Sequence, residues 1–301
     1  MEAEAGELLT DRPGLRVALL AETEDLSVSH ALVASGGPFP PPHVHRRHAD
    51  CFLVTGGAVS FRLGEAERVV EAESWVQVPA GIVHTFAPAG DGPAAFVNVH
   101  TPSCGYGEFV RGLAAATDRD ELRRVRESFD QAAKPPVRDS GPGEGVWANR
   151  EVPPAAATIC RLGGDEGEAI TDGPNRRVTL LADSEEAGVT ESVYGPGERG
   201  PDPHVHREHT DSWLVLDGVL TFELRGGKRF EAAAGTLVVV PPHVTHSFWN
   251  EGEETARFLN LHTPSCGFGA YLHGRNPGFD QHDPPPDGGA DPASVLVRRL
   301  S

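Results

Sequence analysis

Over most of its length the chain sets apolar and polar positions in short alternating runs broken by Gly and Pro. CFLVTGGAVSFRL (51–63) and SWLVLDGVLTFEL (212–224) read as β-hairpins around a Gly-containing turn. WVQVPA (75–80) and TLVVVPP (236–242) are short apolar or alternating runs stopped by proline, and AAFVNVH (94–100) and ARFLNLH (256–262) keep a period of two. Strands about 8 to 12 residues apart with turns between them predict an all-β sandwich, jelly roll or barrel. One stretch departs from this rhythm. EFVRGLAAATDRDELRRVRESF (108–129) has helical spacing, and Thr117 with Asp120 is expected to cap its second part.

The same pattern occurs twice. LRVALLAETED (15–25) matches RRVTLLADSEE (176–186), PPHVHRRHADCFLVTGGAVSFRL (41–63) matches DPHVHREHTDSWLVLDGVLTFEL (202–224), and FVNVHTPSCGYG (96–107) matches FLNLHTPSCGFG (258–269). A period this long implies two whole domains rather than a solenoid. The expected division is a barrel over 1–137, a Pro/Gly-rich linker over 138–149 and a second barrel over 150–301, with residues 146–160 as an extra strand. The second copy lacks about ten residues of the helical stretch before the shared Phe-Asp-Gln (129–131 and 279–281).

Histidine placement carries the chemistry. Of 14 histidines, ten form five repeat-matched pairs: 43/204, 45/206, 48/209, 84/246 and 100/262. His43 and His45 are two apart, so on a strand both imidazoles point to one face. Asp50 opens the next strand, and His84 enters after the Pro79-Ala80-Gly81 turn. Three imidazoles and one carboxylate can then converge with positions open to water or substrate. Such a mixed N/O set suits Fe, Mn, Ni, Co or Zn, up to one divalent ion per barrel. The second set is His204, His206, Asp211 and His246. His48 and His209 are read as loop or rim residues, the alternative being substitute ligands. His100 and His262 share a face with Asn98 and Asn260, and either hydrogen-bond inside the pocket or sit outside it. Cys104 and Cys266, in matched TPSCG turns, read as buried turn residues. Strand parity puts Phe52, Val54, Trp213 and Val215 on the pocket wall.

These residues carry a resemblance to the cupin superfamily. Its first motif, G-x5-H-x-H-x4-E-x6-G, is matched by Gly37, His43, His45, Asp50 and Gly57, and in the second copy by His204, His206, Asp211 and Gly218, with Glu198 at the leading glycine. Its second motif, G-x5-P-x-G-x2-H-x3-N, is matched by Gly235, Pro241, His246 and Asn250, with His243 at the inner glycine; the first copy keeps Pro79, Gly81 and His84. Asp in place of the family's Glu shortens the reach of the carboxylate by one methylene. The resemblance implies two tandem double-stranded β-helix barrels packed as an intrachain pseudo-dimer. It also implies a quercetinase-like dioxygenase in which Asp50 or Asp211 is the catalytic base toward an enol or flavonol-like substrate. Two other classes stay open. One is a metal-dependent isomerase or decarboxylase, using Arg62, Glu223, His100 or His262 as a further acid/base group. The other is a non-catalytic binder of a small ligand.

Charge narrows the partners. A net charge of −18, with only Lys134 and Lys228 as lysines, disfavours nucleic acid and anionic membranes. No apolar run approaches the roughly 20 residues of a membrane span. The acidic start MEAEAGELL lacks the features of a signal peptide, so a cytoplasmic address is expected. Four cysteines without a C-x-x-C pair are expected to be free thiols.

Overall fold

A computed structural model describes residues 1–37, 39–133 and 156–300, so the expected linker lies outside the described residues. The chain divides into two compact units, Glu7–Leu162 and Met1–Gly6 with Gly163–Ser301. Each is a pair of β-sheets closed over an apolar core, the all-β architecture that the alternation predicts and the double-stranded β-helix that the resemblance implies. Among the described residues no helix is long and apolar enough to cross a membrane.

In the first unit a seven-stranded sheet runs Thr158–Arg161, Ser74–Val78, Ala49–Gly56, Ala94–Thr101, Ser27–Val33, Leu15–Glu22, Glu7–Arg12. A five-stranded sheet holds Ala132–Ala133, His43–Val44, His84–Pro88, Ala58–Leu63 and Ala66–Glu71. Ala58–Leu63 buries every second residue, Val59, Phe61 and Leu63, against Phe52, Val54, Val76 and Val78 of the larger sheet. Fully burying each such side chain stabilises the unit by roughly 1.5–3 kcal/mol. Part of the segment expected as an extra strand, Thr158–Arg161, pairs with Ser74–Val78 of this unit.

The second unit repeats the plan, with Thr210–Asp217 at the centre of its larger sheet and Val219–Leu224 at the centre of a three-stranded one. Trp213, Phe222 and Phe258 fill its core. The short strand Glu4–Ala5 lies parallel to Leu296–Arg299 at its edge.

Two expectations are corrected. The segments 51–63 and 212–224 are not hydrogen-bonded hairpins. Ala49–Gly56 pairs with Ser74–Val78 and Ala94–Thr101, whereas Ala58–Leu63 pairs with Ala66–Glu71 and His84–Pro88. Gly57 turns the chain from one sheet into the other at φ 66°, where a Cβ would lie 2.2 Å from the Pro93 carbonyl oxygen. Gly218 makes the same corner at φ 71°. The helix Arg119–Ser128 is capped by Asp118, not Thr117: its carboxylate accepts from the amides of Asp120 (2.9 Å) and Glu121 (2.8 Å), while Thr117 donates to Glu121. Asp118 presents its oxygen to two of the free amides of the first turn.

Gly57→Ala combines a left-handed backbone with a collision against a carbonyl. It is expected to cost about 2 kcal/mol or more, lowering Tm by roughly 4–8 °C. Gly90→Ala, with a similar φ of 75° and nothing within 4 Å, is the control for strain alone. Thermal melts showing equal losses for both would contradict the corner assignment.

Candidate metal centre

The fold brings together all eight residues expected as ligands. His43 lies directly opposite His84 across the smaller sheet, and His204 bridges to His246 in the second unit. Asp50 and Asp211 enter from the larger sheet, each 2% exposed. In each set the possible ligand atoms lie within 4.8 Å of one another. His84 Nε2 is 3.2 Å and His45 Nε2 3.7 Å from Asp50 Oδ2; the matching distances to Asp211 Oδ2 are 3.6 Å for His246 and 3.4 Å for His206. The shorter Asp therefore reaches the centre.

The ring orientations are fixed from behind. Nδ1 of His43 donates to the Pro41 carbonyl (2.8 Å), His45 to that of Asp130 (2.6 Å) and His84 to that of Ile82 (2.9 Å). His204, His206 and His246 donate in the same way to the carbonyls of Asp202, Asp280 and Val244. With the proton on Nδ1, each Nε2 turns a lone pair inward, the state a metal needs. Nε2 of His45, His206 and His246 is buried without a hydrogen-bond partner. A buried acceptor left bare costs about 1–3 kcal/mol, so one such nitrogen in the first centre and two in the second fit a cation in each.

The electrostatics agree. Burial, with His84 and His45 beside it, holds His43 well below its ordinary value, and burial with His246 and His206 takes His204 down to about 3. His206 goes the other way: burial opposes it, but the Asp211 carboxylate raises it. Burial would raise Asp50 and Asp211, but the surrounding imidazoles outweigh it and hold both carboxyls well below the usual range. Each centre thus offers an ionised carboxylate beside an imidazole that burial keeps neutral, His43 in the first and His204 in the second.

Behind each carboxylate runs a hydrogen-bonded chain. The Asn98 amide donates to Asp50 Oδ1 and to the Cys51 carbonyl, which leaves its oxygen facing His100 Nε2 at 2.9 Å. His100 Nδ1 meets His48 Nε2 at 3.0 Å, and His48 Nδ1 meets Asp130 Oδ2 at 3.1 Å. The second unit repeats every link through Asn260, His262, His209 and Asp280. His48 and His209 are therefore not rim residues: both are fully buried, because a carboxylate from the end of the domain folds over them. His100 and His262 take the hydrogen-bonding role.

These three contacts need three N–H groups, and two neutral imidazoles supply two. Burial and neighbouring imidazoles work against a third proton, pulling His100 down to about 4. Without it, one contact sets lone pair against lone pair.

Asp130 and Asp280 were not singled out from the sequence. Asp130 Oδ2 also accepts from the amides of Arg46 (2.9 Å) and Arg47 (2.6 Å), while its own carbonyl holds His45. The repeated Phe-Asp-Gln was the available signal.

A cavity of about 570 Å³ opens onto His43, His45 and Asp50 in the first unit. Its walls include Val33, Phe86, Phe96, Phe109 and Leu113, and its cations, Arg12 and Arg126, are exposed. Phe52 and Val54 do not line it. They are fully buried behind it, Phe52 lying 4.8 Å from Phe86 and 5.7 Å from Phe96 between ring centres. Trp213 and Val215 are likewise in the core. Neither Arg62 nor Glu223 lines this cavity, and Glu223 is paired with Arg229 at 2.6 Å. Cys104 and Cys266 are only half-buried, and none of the four cysteines is in a disulfide.

Asp130→Ala is expected to weaken metal binding in the first unit by roughly 10–100-fold, as loss of groups that orient a ligand does elsewhere. Asp130→Asn, which keeps an acceptor for His48 and the two amides, should lose less. Competition with a chromophoric chelator, in a His204→Ala background, measures both; an unchanged Kd in folded Asp130→Ala would contradict the role.

Comparison with known proteins places the fold. The cupin-domain family model matches residues 29–100 and 190–262. No curated protein matches the chain. Among solved structures it resembles the formate complex of Lactobacillus farciminis oxalate decarboxylase (16% identity, 86% of this chain and 84% of that one, TM-score 0.57). It also resembles Bacillus subtilis oxalate decarboxylase, in a study of its Mn(II) centres (17%, 86% and 74%, TM-score 0.53). A third likeness is a putative glyoxylate-induced protein from Pseudomonas aeruginosa (13%, 84% and 82%, TM-score 0.55). At these identities the likeness is one of fold. Each half of the chain thus carries one region that matches the cupin domain.

Proposed function

We propose that the protein is a metal-dependent, dioxygenase-like oxidoreductase acting on a small organic substrate with an enol or phenol-type hydroxyl. The observation that supports this most is the cavity of about 570 Å³ that opens onto His43, His45 and the Asp50 carboxylate between phenylalanine side chains. The residues fit one divalent transition metal per barrel, held by His43, His45, Asp50 and His84, and by His204, His206, Asp211 and His246. When bound, the metal polarises an enol oxygen and provides a centre for dioxygen chemistry.

The chain's own residues do the rest. Phe86, Phe96 and Phe109 take up a ring and exclude water. Asp50 Oδ1 is held by Asn98, which leaves Oδ2, the oxygen toward the centre beside His84, to receive the substrate's hydroxyl proton. Tyr106 stacks on His100 at 4.1 Å and keeps that ring against Asn98.

The second reading is decarboxylation of an oxalate-like acid, the reaction that names two of the three solved structures above, the oxalate decarboxylases. Against it stands the placement of charge: the arginines at the cavity, Arg12 and Arg126, are exposed, so no buried arginine or lysine lines it to hold a small dianion.

Oxygen uptake by protein reconstituted with Fe(II), Mn(II), Ni(II), Co(II) or Zn(II) distinguishes these readings. The expected result is oxygen consumption matched to loss of a flavonol or other enol, falling about 10²-fold or more in Asp50→Asn at equal metal content. Carbon dioxide released from oxalate without oxygen uptake would favour the decarboxylase. Tight binding without turnover would leave a binding protein.

A further inference from the structure

The two barrels share their ligands but not their interiors. In the first unit the cavity touches three of the four ligands through apolar walls. In the second, a cavity of about 370 Å³ reaches His204 and none of His206, Asp211 and His246; Arg176, Asp202, Tyr271 and His282 are among its lining residues.

Part of the difference lies in the helical stretch that gives the first cavity Phe109 and Leu113 and is shorter in the second copy, and repeat-matched substitutions add to it. Leu15 and Val33, which line the first cavity, correspond to Arg176 and Tyr194. Tyr194 is 2% exposed and belongs to the core with Trp213 and Phe222. Its ring lies 5.1 Å from Phe258 and 6.0 Å from Phe248, and the Arg176 guanidinium caps it at 4.7 Å. Glu198 pairs with Arg176 at 3.4 Å and fixes that lid residue. Behind them Trp213 replaces Phe52. Phe86 is half-buried on the first cavity's wall, while its counterpart Phe248 is only 6% exposed. Each exchange adds bulk on the same side of the barrel, and a close-packed interior has no room to spare.

We propose that the first barrel alone admits a ring-bearing organic ligand to its metal, with Val33 and Leu15 setting the width of the entry. Tyr194, Arg176 and Trp213 close the second barrel to such a ligand, so its centre holds an ion without taking that substrate. This rests on the metal-binding reading above but not on the reaction assigned to it.

The test is binding, not turnover. Cobalt(II)-loaded full-length protein is titrated with 4-nitrocatechol, a ring-bearing metal ligand with its own absorbance, and separately with azide. The expected result is two cobalt ions and one nitrocatechol per chain. Val33→Tyr, which transplants the second barrel's residue into the first, should weaken nitrocatechol binding more than ten-fold. Cobalt content should be unchanged, and azide should still perturb the cobalt spectrum. Two nitrocatechols per wild-type chain, none at all, or undiminished binding to Val33→Tyr would each overturn the inference. Failure to take up cobalt would instead overturn the metal reading beneath it.

Discussion

Each of six histidines gives its Nδ1 proton to a backbone carbonyl, and this arrangement governs the rest of the site. The carbonyls belong to residues two before His43, His84, His204 and His246, or to Asp130 and Asp280 for His45 and His206. The tautomer is thereby set by the main chain, and the inward lone pairs exist before any ion arrives. Preorganisation has a cost: bare acceptors and an ionised carboxylate are buried together, which is unfavourable unless a cation neutralises them. The barrel supplies the rigidity, since its two sheets share a continuous apolar core directly behind the ligands.

The same economy extends outward. One aspartate in each unit serves His45 or His206 through its carbonyl, and through its carboxylate serves two loop amides and the buried histidine couple. That couple reaches the ligand carboxylate through a single asparagine. Because every link occurs in both units, the network is part of the ancestral domain. The cavity walls differ between units, so ligand access has diverged while the ligand cage has not.

Much of this was legible in the chain. The repeat, the strand rhythm and the matched histidines fix two barrels with His43, His45, Asp50 and His84, and their counterparts, converging in each. What escaped did so for physical reasons. Periodicity reports that 51–63 is two strands but not which sheet each joins; that is decided at Gly57, where only a residue without a Cβ can pass the Pro93 carbonyl. His48 sits in a turn, and turns are usually exposed; it is buried by Asp130, 82 residues later. Strand parity puts Phe52 inward correctly but cannot say that Phe86 and Phe96 stand in front of it. The repeated Phe-Asp-Gln was visible, and its meaning required knowing where the chain returns.

Metal analysis of protein prepared without chelator or histidine tag bears most directly on the central claim. The account predicts about two equivalents per chain of a divalent first-row metal, with imidazole nitrogen and carboxylate oxygen in its coordination sphere by X-ray absorption. A protein that holds none, and takes up none on reconstitution, would contradict it.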